Sequence, residues 1–233
     1  MKIAILSDIH GNSYALDAVL MAVRQQGIVN LFILGDMVGY YYFPDKVLRM
    51  LEDFNTKIIQ GNHEAMLKSL INETLDAEDV RKKYGSGASF ALQELTIDQI
   101  NFLINLPTSL RFTFENIRFT LCHGSPWDPN YYIYPNSPLE ILDKCALELS
   151  SDFLLLGHTH HPFITLNNGV LILNPGSVGQ PRDQNYGASW AIINTDNRAV
   201  IFKQTPYDYS ALIEDIAKFD SDIVFLKDVL TRK

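Results

Sequence analysis

Cysteine is nearly absent from this chain: Cys122 and Cys145 are the only two in 233 residues. Their separation fits no zinc-binding spacing and builds no disulfide framework. A reduced, cytoplasmic protein is the simplest reading. Long apolar runs are missing as well. No stretch approaches the ~20 apolar residues of a membrane-spanning helix. The apolar start, MKIAILSDIHGN, is broken at Asp8 and is too short and too early for a signal peptide. Positive charge is the third shortage, with 19 basic against 27 acidic residues and a net charge of −8. Such a chain repels polyanions and lacks the footprint of a binder of long nucleic acid. It still allows a locally positive site, and bound metal would create one.

What is present reads as an ordinary globular protein. A chain of this length can bury about 70% of its unfolded surface, so one domain spanning residues 1–233 is expected. Residues 2–7, 29–34 and 57–60 read as strands. Between them lie helical stretches, the first capped by Asn12 or Ser13 and ended by Gly27, the second opened by Pro44. A β-α-β-α-β start implies parallel strands with covering helices. Residues 64–106 look helical, interrupted at Gly85 and Gly87, with a capping box at Thr96 and Gln99. They are expected to form a helical lid or side packing. A hairpin turning at Glu115 and Asn116, a helix over 138–150, and strands over 153–156, 163–166, 170–173, 189–194 and 199–204 follow. Residues 208–219 read as a helix; the last dozen are ambiguous.

Histidine is scarce but concentrated. All six sit in compact motifs at the ends of predicted strands: DIHGN, GNHE, CHGS and GHTHH. With Asp8, Asp36 and Asn62, five strand ends carry side chains able to hold metal. In open α/β sheets, ligands bind outside the carboxyl ends of strands. Mixed imidazole and carboxylate donors suit Mn²⁺, Fe²⁺, Co²⁺, Ni²⁺ or Zn²⁺. Two divalent ions need roughly eight protein bonds. Asp8, His10, Asp36, Asn62, His123, His158 and His160 supply that number if Asp36 bridges. His63 and His161 are left for other work.

As an ordered set, DxH (8–10), GDxxG (35–39), GNHE (61–64), HG (123–124) and GHTH (157–160) resemble the calcineurin-like metallophosphoesterases. NPGSVGQPRD (174–183) resembles their small bacterial and archaeal branch. The resemblance implies an α/β fold, a four-layer αββα sandwich of two mixed sheets flanked by helices. It implies one ion held by Asp8, His10, Asp36 and His160, and another by Asp36, Asn62, His123 and His158. It also implies a metal-bridging hydroxide that attacks phosphorus, and a substrate-facing His63. The family's serine/threonine phosphatases carry GDxVDRG where this chain reads GDMVGYY. The aspartate that partners their catalytic histidine is replaced by Gly39, and their phosphate-binding arginine by Tyr40. What orients His63 is left open, since Glu64 is poorly placed for it.

The expected activity is therefore dinuclear-metal-dependent hydrolysis of phosphate esters, leaning to phosphodiesters. His63 is the expected proton donor to the leaving oxygen, and Arg182 a contact to substrate phosphate. Manganese is the expected ion. The alternatives are a phosphomonoesterase or a nucleotide or protein phosphatase and, in another class, a metal-stabilised binding protein without catalysis. The expected partner is a small phosphorylated molecule or nucleotide. Two aromatic runs, 40–43 and 127–134, could stack on a base, pack the loops or form a homo-oligomer interface.

Overall fold

The computed structural model describes residues 1–147, 150–183 and 187–231. The chain opens with β1 (Lys2–Leu6), α1 (Ser13–Gln25), β2 (Asn30–Ile33), α2 (Pro44–Leu51) and β3 (Asn55–Ile58). Four helices follow: α3 (Asn62–Ile71), α4 (Ala77–Tyr84), α5 (Gly87–Glu94) and α6 (Ile97–Ile104). Then come β4 (Ser109–Phe114), β5 (Ile117–Cys122), α7 (Leu139–Leu147), β6 (Phe153–Leu155), β7 (Phe163–Asn167) and β8 (Val170–Asn174). The chain continues through β9 (Ala188–Asn194), β10 (Ala199–Thr205), α8 (Ser210–Phe219) and α9 (Val224–Thr231). The expected helix over 138–150 is α7; residues 148 and 149 lie outside the described residues.

Two five-stranded sheets result, ordered β10-β9-β1-β2-β3 and β4-β5-β6-β8-β7. The first runs parallel from β1 to β3, with β9 and β10 antiparallel at its edge. The second is parallel through β5, β6 and β8, with antiparallel strands outside. Alternation along each strand assigns the faces. Ile3, Ile5, Phe32 and Leu34 turn inward and meet Phe119, Leu121, Phe153, Leu155 and Leu173 between the sheets. Ala4, Leu6, Leu31 and Ile33 turn outward to Leu16, Val19, Leu20 and Val23 of α1. On the far side, Leu154 and Ile172 pack against Leu142 and Cys145 of α7. The layering is the expected αββα sandwich.

Local chemistry explains the boundaries. Asn12 caps α1 by accepting from the Ala15 N–H at 3.0 Å, and Gly27 leaves it at φ +67°. Glu115 and Asn116 both take positive φ, as a two-residue hairpin turn requires. Gly85 ends α4, whereas Gly87 opens α5 rather than breaking a helix. Helices α3 to α6 share the outer core of the first sheet through Leu67, Val80, Ala91 and Leu103. Ambiguous in sequence, the C-terminus forms α9, which buries Leu226 and Leu230 against Tyr41 and Tyr42. No helix among the described residues is long and apolar enough to cross a membrane.

Candidate metal centre

The two parallel strand sets place their carboxyl ends together. Asp8 and His10 follow β1, Asp36 follows β2, and Asn62 and His63 follow β3 at the start of α3. His123 follows β5, while His158 and His160 follow β6. Among the described residues three groups of donor atoms form, each with its atoms within 4.8 Å of one another: Asp8–His10–His160, Asp36–His123–His158 and His10–Asp36–His63. Asn62 joins the second, with its Oδ1 2.9 Å from His123 Nε2. All seven expected ligands therefore lie in one place.

Their remaining atoms are already committed in a way that fits metal. Asp8 Oδ2 accepts from Ser7 Oγ at 2.5 Å and from the His158 N–H at 3.0 Å. Asp8 Oδ1 has no hydrogen-bond partner among the described residues despite full burial. It faces His160 Nε2 at 3.2 Å and His10 Nε2 at 3.7 Å. Three imidazoles meet backbone carbonyls through Nδ1: His10 with Val38, His123 with Leu34 and His160 with Gln180, at 3.2, 2.6 and 2.6 Å. That contact fixes the tautomer and turns each Nε2 inward, the arrangement of a ligating histidine. His158 instead meets the Asn130 carbonyl through Nε2, leaving Nδ1. An orphaned carboxylate oxygen among converging imidazole nitrogens is a site the donor set fits to divalent ions.

The electrostatics agree. Burial alone would raise the Asp8 carboxyl, but the His160 imidazole holds it well below the usual carboxylate range. For Asp36 burial is likewise outweighed, chiefly by His123 and then His63. Burial opposes a charge on His123, yet Asp36, Asp8 and the Leu34 carbonyl push it up to about 10. Burial lowers His10 and His63, and brings His158 down to about 4. Two buried carboxylates that stay ionised demand positive charge beside them.

The backbone is bent to aim these groups. Asp8, His10, Asp36, His158 and His160 all take positive φ, between 54° and 67°. Left-handed conformations are uncommon for side-chain-bearing residues and cluster at functional sites. Glu64 holds the Asp36 loop in place. Its buried carboxylate accepts from the backbone N–H groups of Asp36, Met37 and Gly61 at 2.9, 2.7 and 2.8 Å, and from Val38 at 3.3 Å. Burial and the Asp36 charge push Glu64 up to about 7 against those donors. Glu64 does not touch the His63 ring's Nδ1, which has no hydrogen-bond partner.

A cavity of about 230 Å³ opens over the cluster, lined by Asp36, Asn62, His63, His158, His160 and Arg182, among others. Arg182 donates from Nη2 to Gln180 Oε1 and Tyr40 Oη, at 2.9 and 3.2 Å. Sequence reasoning missed two wall residues, Lys83 and Tyr84, because α4 resembles a solvated charged face. The aromatic runs separate. Tyr41 and Tyr42 are core residues, whereas Tyr40 and Tyr132 line the cavity. Tyr132 stacks on His158 at 4.1 Å. His161 is half-buried, with its ring against Tyr134.

Stacked sheets with a buried Asp/His cluster at their strand ends define a metal-dependent hydrolase. The chain belongs to the calcineurin-like phosphoesterase superfamily, whose domain model matches residues 1–198. It is 30% identical to an uncharacterized protein of Methanocaldococcus jannaschii, across 93% of this chain and 92% of that one. A solved metallophosphoesterase from Sphaerobacter thermophilus is 26% identical, with a TM-score of 0.80 and 99% of both chains covered. A hypothetical protein from Pyrococcus horikoshii OT3 shares the fold at 22% identity and TM-score 0.84, over 98% of this chain and 97% of that one. The protein is a metal-dependent phosphoesterase.

Proposed function

We propose that the centre is dinuclear. Asp8, His10, Asp36 and His160 hold one divalent ion; Asp36, Asn62, His123 and His158 hold the other. The observation that carries this reading is Asp36, whose Oδ2 lies 3.8 Å from His10 Nε2 and 3.2 Å from His123 Nε2, one in each set. When bound, the ions supply Lewis acidity toward phosphoryl oxygen and toward water. Manganese is the native ion in this reading, on the mixed imidazole, carboxylate and amide donors.

The chain's own residues do the rest. His63 is a cavity-lining imidazole that belongs to neither ligand set, and it gives a proton to the leaving oxygen. Arg182, which lines the same cavity, donates to a phosphoryl oxygen. Helices α3 to α6 serve as side packing within one domain, supported by the core they share with α1 and α2. A cytoplasmic location fits two free, buried cysteines.

The substrate is a small phosphodiester or nucleotide. Support comes from Gly39 and Tyr40, which stand where the family's protein phosphatases have an aspartate and an arginine. A monoester is the second reading, and one observation favours it. Lys83 and Arg182 line the cavity and pair with no carboxylate among the described residues, so two cations remain for a dianion. Turnover of bis(4-nitrophenyl) phosphate and 4-nitrophenyl phosphate, both with Mn²⁺, decides between them. A higher kcat/KM on the diester is expected; the reverse order gives the monoester. His63→Ala is expected to lower kcat by ~10²–10⁴ with metal content intact. Loss of metal instead would make His63 a ligand.

A further inference from the structure

His63 lacks the carboxylate partner that orients its counterpart in the protein phosphatases, and its Nδ1 has no hydrogen-bond partner among the described residues. The residue is nevertheless only 3% exposed, so something other than a hydrogen bond from Nδ1 holds its ring. Three rings surround it. Tyr40 lies 4.9 Å away at 39°, Tyr84 4.9 Å away at 76°, and His10 4.8 Å away at 73°. Bare backbone at Gly39 closes a further side, and the cavity opens on another. A Cβ on Gly39 would stand 2.1 Å from His63 Nδ1 and 2.7 Å from Cγ. The imidazole therefore occupies the space into which a side chain at position 39 would emerge.

The clamp is itself anchored. Tyr40 packs edge-on to Tyr84 at 5.7 Å and to Phe225 of α9 at 6.0 Å, and its hydroxyl accepts from Arg182. Tyr84 is the last residue of α4. Gly85 follows it at φ +78°, where an added Cβ would meet Leu226 of α9 at 2.7 Å. Offset and edge-on ring contacts have preferred geometries, so they restrict rotation as well as exclude water.

We infer that Tyr40 and Tyr84 are positioning residues for His63: an aromatic clamp closed by the bare Gly39 backbone does here what a carboxylate hydrogen bond does elsewhere in the family. The inference rests on the reading of His63 as the group that meets substrate. It explains GDMVGYY as a working alternative to GDxVDRG. A glycine makes room for the ring and a tyrosine covers it.

A double-mutant cycle tests the clamp, on metal-loaded protein with bis(4-nitrophenyl) phosphate. Tyr84→Leu is expected to lower kcat about tenfold with KM within about twofold, the cost of a mis-set catalytic group. Tyr84→Phe, which keeps the ring, is expected to restore kcat. In a His63→Ala background, Tyr84→Leu is expected to change nothing further. An equal fall in both backgrounds, or a Phe variant as slow as Leu, overturns the clamp. If His63→Ala alone keeps full kcat, the reading of His63 fails instead, and the two failures are told apart. Should Tyr84→Leu lose its metal or its fold, Tyr84→Met carries the same comparison.

Discussion

Single atoms decide much of this site. One methyl group at Gly39 would strike the His63 ring, and the backbone there sits at φ +91°, which L residues rarely adopt. Gly39→Ala is therefore expected to lower kcat by ~10–100-fold without loss of metal. Steady-state kinetics beside elemental analysis checks it, and an unchanged kcat would show that the ring has room to move. Glu64 is a second such point. Glu64→Ala would leave the N–H groups of Asp36, Met37 and Gly61 without their acceptor. At about 1–3 kcal/mol per orphaned buried donor, and roughly 2–4 °C per kcal/mol, Tm should fall by about 5 °C or more. A melting curve within 1 °C of the parent would mean, on the same scale, that the loop holds itself. The seven ligand candidates were legible in sequence because imidazole, carboxylate and glycine recur together in short motifs. Glu64 stood inside one of those motifs, but its role depends on backbone donors that no motif shows. Lys83 and Tyr84 gave no such signal, since the charge clusters of their helix read as a solvated face.

Between elements, apolar content did most of the positioning. The runs in β1, β2, β6 and β8 are buried on both faces, as strands covered on two sides require, so their existence could be read, while the four layers were anticipated only from the family resemblance. The third strand was expected at 57–60, yet β3 is Asn55–Ile58. It pairs with β2 from Asn30↔Asn55 through Ile33↔Ile58, so backbone pairing sets its limits rather than apolar content. The tie between sheets was not legible at all. Asp152 accepts from the Arg118 N–H and Nε on β5, at 2.9 and 3.1 Å, and from Arg198 in the β9–β10 turn at 3.1 Å. Those partners hold its carboxyl down to about 2, the Arg118 side chain first. A lowered carboxylate contributes stability above its unfolded value near 4 and loses it as pH falls toward the folded value. Both arginines are more than half exposed, so the contribution is small, about 0.5–1 kcal/mol. Asp152→Asn should lower Tm by about 1–4 °C at pH 7 and leave almost no difference near pH 2. A gap that persists at low pH would assign the effect to packing.

The molecule as a whole brings five strand ends from two sheets to one point, at the cost of strained backbone and buried charge. Asp8 and Asp36 are both buried and held in the ionised form, and Asp8 Oδ1 has no hydrogen-bond partner among the described residues, a state that bound cations relieve. Ions that bind only the folded chain add stability, about 2.7 kcal/mol each at a hundredfold excess over Kd. Chelation should accordingly lower Tm by roughly 5–20 °C, and Mn²⁺ should restore it. The most direct test of the dinuclear centre is an anomalous difference map from crystals of the manganese-loaded protein. Two peaks are predicted, one among Asp8, His10 and His160 and one among Asn62, His123 and His158, with Asp36 touching both. A single peak, or one ligated by His63 in place of Asp8, would contradict the account.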